Sequence, residues 1–236
     1  MTIFKVGLYH PEDSMSDLIC ENYPMLLVMS RFGIDLGFGE GSIEEVCRKH
    51  NVDLYTFLAV VNTLVAQPGG KGPKIDYAQI SLRSLICYLH ESHAYFLEYR
   101  LPTIRRELVE ALEGSGDVAV VILNYFDEYV AEVNKHMMYE EETLFPYINS
   151  MLNDTFREAY SIDIYSQHHD KVEAKLSEFK SILIKYYPAK TTYALNNVLY
   201  DIFSCERDLA SHNCIEDELL VPTMRAFESM KGGKNV

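Results

Sequence analysis

Apolar residues recur at intervals of three and four through most of the chain after residue 80, which is the spacing of one face of an α-helix. Four segments show the pattern, with face positions Ile86, His90, His93, Leu97, Leu101 and Ile104; Val133, His136, Glu140 and Leu144; His169, Val172, Leu176, Phe179 and Leu183; and Leu209, His212, Glu216, Leu219 and Leu220. Turn sequences separate these segments at residues 113–117, 152–154 and 186–190. The pattern predicts an all-α protein with an up-down four-helix bundle. Pro102 lies inside the first helix and should kink it or mark a local break.

The beginning of the chain predicts shorter elements. Pro24 can open a helix that ends near Gly33, Ser42 begins a capping-box sequence, and Asp53 can cap a third helix. The stretch QPGGKGPK at residues 67–74 cannot continue a helix, because it holds two prolines and three glycines. We therefore expect three parts: a small three-helix domain at residues 1–66, a linker at 67–79 and the bundle at 80–236.

Composition narrows the range of partners and of cellular locations. The 236 residues include 21 basic and 35 acidic side chains and carry a formal net charge of −14, which argues against nucleic acid and anionic membrane surfaces as partners. The N-terminus shows no signal-peptide pattern, and no apolar run approaches the roughly 20 residues that span a bilayer. The five cysteines are odd in number and form no C-x-x-C pair. They predict reduced thiols in a cytoplasmic protein.

One phrase occurs twice in the predicted bundle. Residues 136–146 read HMMYEEETLFP and residues 212–222 read HNCIEDELLVP, so both fit H-x-x-x-E-[ED]-E-x-L-[FV]-P. Residues four apart share one face of a helix. His136 with Glu140, and His212 with Glu216, therefore offer two pairs of an imidazole and a carboxylate.

The spacing of four histidines places these pairs near one level of the bundle. The midpoints between successive members of His90, His136, His169 and His212 fall at residue 113, at residues 152–153 and beside residue 190, each within a predicted turn. Residues equidistant from a turn lie at similar heights in an up-down bundle. The predicted metal ligands are His90, His136, Glu140, His169, His212 and Glu216. Six nitrogen and oxygen donors suit two transition-metal ions, iron first and manganese second.

The repeated phrase, with LHESH at residues 89–93 and HHD at 168–170, resembles the hemerythrin-like cation-binding domain over residues 80–228. Within that superfamily the chain looks like the repair-of-iron-centres di-iron proteins. Those proteins carry a small N-terminal helical domain, and residues 30–53 of this chain resemble it. The family's ligands fall on the same six residues. Two features depart from the family: Gly37-Phe38 follows Asp35-Leu36 where a cysteine pair is usual, and His168 stands where an acidic residue is usual.

The resemblance implies a centre of two iron ions with oxo and carboxylate bridges. It also implies a stress-response role in repairing iron–sulfur clusters after oxidative or nitrosative damage, by iron donation or by nitric oxide reduction. Its partners would then be O2 or NO and iron–sulfur client proteins, and a di-iron nitric oxide reductase-type activity stays open. The alternatives are a protein that binds or senses oxygen, nitric oxide or iron without turnover, and a bundle whose metal is only structural. Also open are an extra ligand, His93 or His168, and the choice between monomer and homodimer.

Overall fold

The computed structural model describes residues 8–66, 74–155, 160–168, 173–187 and 193–232. In these ranges the chain forms an all-α helical bundle with no strand, and an isolated antiparallel bridge joins Ser14 and Ser42. Within the same ranges, no helix is both long and apolar enough to cross a membrane.

The N-terminal part contains four short helices: α1 at Met15–Glu21, α2 at Met25–Arg31, α3 at Ile43–Lys49 and α4 at Leu54–Val65. Three of them begin where the sequence predicts, and α1 is an addition. Ser42 and Glu45 form the predicted capping box of α3, because each side chain accepts the other residue's backbone N–H. The Asp53 carboxylate caps α4 by accepting the backbone N–H of Thr56.

A short 3-10 turn, Tyr77–Gln79, precedes three long helices that are each interrupted once by a π-helical segment. The first comprises α5 (Leu82–Ala94), the π segment Tyr95–Arg100 and α6 (Leu101–Ala111). The second comprises α7 (Asp117–Tyr139), the π segment Glu140–Leu144 and α8 (Phe145–Leu152). The third comprises α11 (Tyr193–Ile215), the π segment Glu216–Leu220 and α12 (Val221–Gly232). Two shorter helices, α9 (Ile162–His168) and α10 (Glu173–Tyr186), come between the second and third.

A proline explains the position of each π segment. Pro102, Pro146 and Pro222 each lie two residues after such a segment ends. Proline has no N–H and crowds the carbonyl four residues earlier, so an α-helix cannot pass it unchanged. In each helix the residue just before the proline instead bonds five residues back, to the carbonyl oxygen of Phe96, Glu140 or Glu216. The break predicted at Pro102 takes this form.

The described residues group into two compact units. One contains residues up to Glu91, Ile148–Gln167 and the residues from Cys214 onward, and it packs the ring of Phe32 against Phe57 and Tyr88 at centroid distances of 5.3 and 5.0 Å. The other contains Ser92–Tyr147 and His168–Asn213. The predicted division into domains at residues 67–79 stays a prediction, and residues 67–73 lie outside the described ranges.

The second unit has an apolar core drawn from α6, α7, α10 and α11. Its centre holds Phe126, Tyr129 and Phe179, each of which is at most 1 % exposed. The rings of Phe126 and Phe179 lie 5.4 Å apart, and Tyr125 stacks on Phe179 at 5.7 Å. This packing fixes the helices that carry the histidines described next.

Candidate metal centre

Four buried side chains with metal-binding groups come together where the π segments begin. Each of His93, Glu140, His212 and Glu216 offers one donor atom, and these atoms all lie within 4.8 Å of one another. The side chains of Glu140, His212 and Glu216 are fully buried, and that of His93 is 3 % exposed. The described part of the chain thus contains a compact cluster of two imidazoles and two carboxylates.

Glu140 occupies the middle of this cluster. Its Oε2 atom lies 3.0 Å from Nε2 of His93 and 4.0 Å from Nε2 of His212, and its Oε1 atom lies 3.2 Å from Nε2 of His136. His136 precedes Glu140 by one helical turn, and its side chain is 9 % exposed. A buried carboxylate is costly unless positive or hydrogen-bonding groups surround it. Three imidazoles provide that environment for Glu140.

The repeated phrase encodes this arrangement in its last residues as well as its first. Glu140 and Glu216 are each the first residue of a π segment, and the proline six residues later is the reason that the segment exists. The turn that follows each histidine stays α-helical, so each histidine lies one turn from its glutamate on the same face. Single-turn π segments inside α-helices are frequent at functional sites.

The first long helix contributes His93. The His93 ring stacks on Phe145, with centroids 5.5 Å apart and an interplanar angle of 8°. Its Nδ1 atom lies 2.7 Å from Oε1 of Glu141, and its ring centre lies 5.1 Å from that of His212. Phe96 meets the His212 ring edge-on at 6.0 Å. Aromatic side chains thus cover both imidazoles.

The structure brings four of the six predicted ligands together and gives a different picture of the first helix. His136, Glu140, His212 and Glu216 lie in or directly against the cluster. His169 lies outside the described residues. His90 is exposed and does not belong to the cluster. His93, which the sequence leaves open as an extra ligand, does belong to it.

The burial pattern of α5 explains why His93, and not His90, lies in the cluster, and His90 as a ligand stays a prediction. One face of this helix is buried, and its positions are four and then seven residues apart: Leu85, Leu89 and Phe96. His93 continues that face one turn after Leu89, whereas His90 follows Leu89 directly and points away from it. This apolar spacing was the signal that could have identified His93. His168, the other candidate for an extra ligand, is the last residue of α9, and the position of its side chain lies outside the described part.

The chemistry of the donor set fits a transition metal. Imidazole and carboxylate together suit iron and manganese, whereas calcium takes mainly oxygen ligands. Structural zinc sites are usually closed and rich in thiolate, and the cluster in the described residues contains no cysteine. These residues can therefore hold a non-haem iron centre.

Comparison with known proteins gives one finding about this region. The family model described as "Hemerythrin HHE cation binding domain" matches residues 84–224, a range that includes all members of the cluster. No curated protein matches the chain.

Proposed function

The chain belongs to the hemerythrin HHE cation-binding domain family, and from this premise we propose that it holds a non-haem di-iron centre that acts on O2 or NO. The observation that carries the proposal is the buried cluster of two histidines and two glutamates around Glu140. Imidazoles and carboxylates buried so close together are the donor set of an iron site. Manganese is the second choice.

The residues that would hold the iron are His93, His136, Glu140, His212 and Glu216, with the predicted ligand His169. Glu140 would be the central carboxylate ligand, because its two oxygens face different imidazoles. When bound, iron supplies an exchangeable coordination position and one-electron chemistry for a diatomic ligand.

The chain's own residues would control that chemistry by excluding water and by fixing the ligands. Phe96 and Phe145 are almost fully buried and lie against the rings of His212 and His93, respectively. An apolar shell of this kind limits solvent access and sets the local dielectric, and both quantities tune a metal's redox potential. Small uncharged molecules can cross the same apolar shell more easily than ions can, because an ion loses its hydration there.

Within this proposal, the more specific role is repair of iron–sulfur clusters damaged by oxidative or nitrosative stress. The protein would donate iron to a client or reduce nitric oxide. The support is the resemblance of residues 30–53 and of the repeated phrase to the repair-of-iron-centres proteins. Client proteins with iron–sulfur clusters and a cytoplasmic location belong to this proposal too.

The second candidate is a protein that binds or senses oxygen, nitric oxide or iron without turnover. It is favoured by one feature of the N-terminal part: Gly37 and Phe38 follow Asp35-Leu36, where the repair proteins usually carry two adjacent cysteines. Leu36 is 71 % exposed in the described loop. A repair step that needs accessible thiols at this point has none here.

Two assays on the anaerobically reduced protein separate these roles. Conversion of nitric oxide to nitrous oxide, or transfer of iron to a protein lacking its iron–sulfur cluster, supports repair. Reversible oxygen binding with neither activity supports the second candidate. His136→Ala and Glu216→Ala are the matched controls, and each should lose most of the bound iron. Full iron occupancy in both variants would refute the ligand assignment.

A further inference from the structure

The imidazole of His93 is held by a carboxylate that lies outside the cluster of donors. Nδ1 of His93 is 2.7 Å from Oε1 of Glu141, while Nε2 on the other side of the ring is 3.0 Å from Oε2 of Glu140. Glu140 and Glu141 are successive residues at the start of one π segment. The two carboxylates therefore face the two nitrogens of the same ring.

The chemistry of these groups decides which nitrogen carries the proton toward Glu141. An ionised carboxylate can only accept hydrogen bonds, so beside an ionised Glu141 the Nδ1 atom of His93 is the donor. The Nε2 atom is then the one that faces Glu140 and the rest of the cluster. A metal-binding histidine usually donates its other N–H to a carboxylate or carbonyl group, which fixes both the tautomer and the direction of the ring.

We propose that Glu141 is a positioning residue of the metal centre: it accepts the Nδ1–H of His93 and so keeps Nε2 directed at the metal. This inference rests on the proposed function, because it assumes that the cluster binds metal. It adds a residue that lies outside the four-residue cluster and that would act through its contact with His93.

The contact with Phe145 has a different effect. Its ring stacks almost parallel to the His93 ring at 5.5 Å, which restrains the tilt of the imidazole but does not distinguish Nδ1 from Nε2. Glu141 makes that distinction. Its side chain is 23 % exposed, so a substitution there disturbs the core less than one at the fully buried Glu140.

The chain offers a matched control for the experiment. Glu142 follows Glu141 directly, carries the same side chain and is exposed. Glu141→Gln, Glu141→Ala and Glu142→Gln should be compared with the wild type for Fe(II) affinity under anaerobic conditions, by competition with a chromophoric chelator. We expect Glu141→Ala to weaken Fe(II) binding about 10- to 100-fold, the range for loss of an outer hydrogen-bond partner of a ligand. Glu141→Gln should lose less, since its amide oxygen can still accept the Nδ1–H, and Glu142→Gln should match the wild type.

A second measurement tests the direction of the hydrogen bond. In the zinc-loaded wild type, proton NMR should show a slowly exchanging proton on Nδ1 of His93, and Glu141→Ala should lose that slow exchange. A merely structural role for Glu141 would leave this proton unchanged.

The outcomes separate the inference from the function on which it rests. A wild type that binds no Fe(II) overturns the proposed function and this inference with it. A wild type that binds Fe(II), while both Glu141 variants bind it as tightly as Glu142→Gln, overturns the inference alone. If Glu141→Ala does not fold, the Glu141→Gln affinity and the Nδ1 proton of the wild type decide.

Discussion

Replacing His93 should remove metal binding, whereas replacing His90 should not. The two histidines lie three residues apart on α5, and His93 is 3 % exposed while His90 is exposed. The informative variant is His93→Phe, because phenylalanine retains a ring that can stack on Phe145 but carries no nitrogen. His90→Phe is the matched control.

The size of the effect follows from the position of His93 in the cluster. Its Nε2 atom lies 3.0 Å from Glu140, and the four donor atoms lie within 4.8 Å of one another. Loss of an outer partner of a ligand already costs about 10- to 100-fold in metal affinity, so loss of the ligand itself should cost at least about 100-fold. At 1.4 kcal/mol per factor of ten, that is about 3 kcal/mol of binding free energy.

The assay is an anaerobic Fe(II) titration of the metal-free proteins, with thermal unfolding measured in parallel. His93→Phe should bind Fe(II) at least about 100-fold more weakly, and His90→Phe should bind it like the wild type. Unchanged Fe(II) affinity in a folded His93→Phe protein would refute the placement of His93 among the ligands. Loss of affinity in His90→Phe alone would restore His90 as the ligand of the first helix.

Three further predictions concern the site and the fold. Glu216→Ala should lose most of the bound iron in metal analysis, while Glu218→Ala, two residues later and exposed, should retain it. Phe179→Ala should lower the free energy of unfolding in urea by about 3–5 kcal/mol, because Phe179 is fully buried, whereas Tyr200→Ala, at 75 % exposure, should change it by less than about 0.5 kcal/mol. Burial and a neighbouring carboxylate raise the pKa of the Tyr9 hydroxyl above its ordinary value. The neutral Tyr9 hydroxyl should therefore stabilise the folded protein fully below about pH 10, the pKa of tyrosine in an unfolded chain. Above that pH its contribution to stability should decline. The Tm difference between wild type and Tyr9→Phe should accordingly narrow on passing that pH, and a constant difference would count against this assignment.

The spacing of turns predicts the level of the site but cannot choose between neighbouring helical turns. The midpoint of His93 and His136 falls within the predicted turn at residues 113–117, and so does the midpoint of His90 and His136. Moving the ligand by three residues, about one helical turn, moves the midpoint by only half as much. The midpoint therefore stays inside a turn sequence of five residues for either histidine. The apolar face of α5, with Leu85 and Leu89, carried the missing information.

The π segments were the second feature that regular helical spacing could not supply. Periodicity assumes a constant number of residues per turn, and each of the three long helices changes that number before a proline. The pattern E-x-x-x-P, at Glu98–Pro102, Glu142–Pro146 and Glu218–Pro222, is visible in the sequence. We predict a kink or local break from it only at Pro102.

The N-terminal helices with strong capping sequences were predicted well. The Ser42–Glu45 pair and the Asp53 cap are present as expected. Helix α1 was missed because its seven residues are too few to show periodicity, although Ser14 caps it by accepting the backbone N–H of Asp17. Burial of Met15 and Leu18 stabilises α1 through tertiary contacts that the sequence does not display.

The most direct test of the central claim is the metal content of the chain after anaerobic purification and reconstitution with Fe(II). We predict two iron ions per chain in the wild type and loss of most of the iron in Glu140→Ala, the variant that removes the carboxylate in the middle of the cluster. A folded wild-type chain that retains no stoichiometric metal would contradict it, and so would a Glu140→Ala chain that retains both ions.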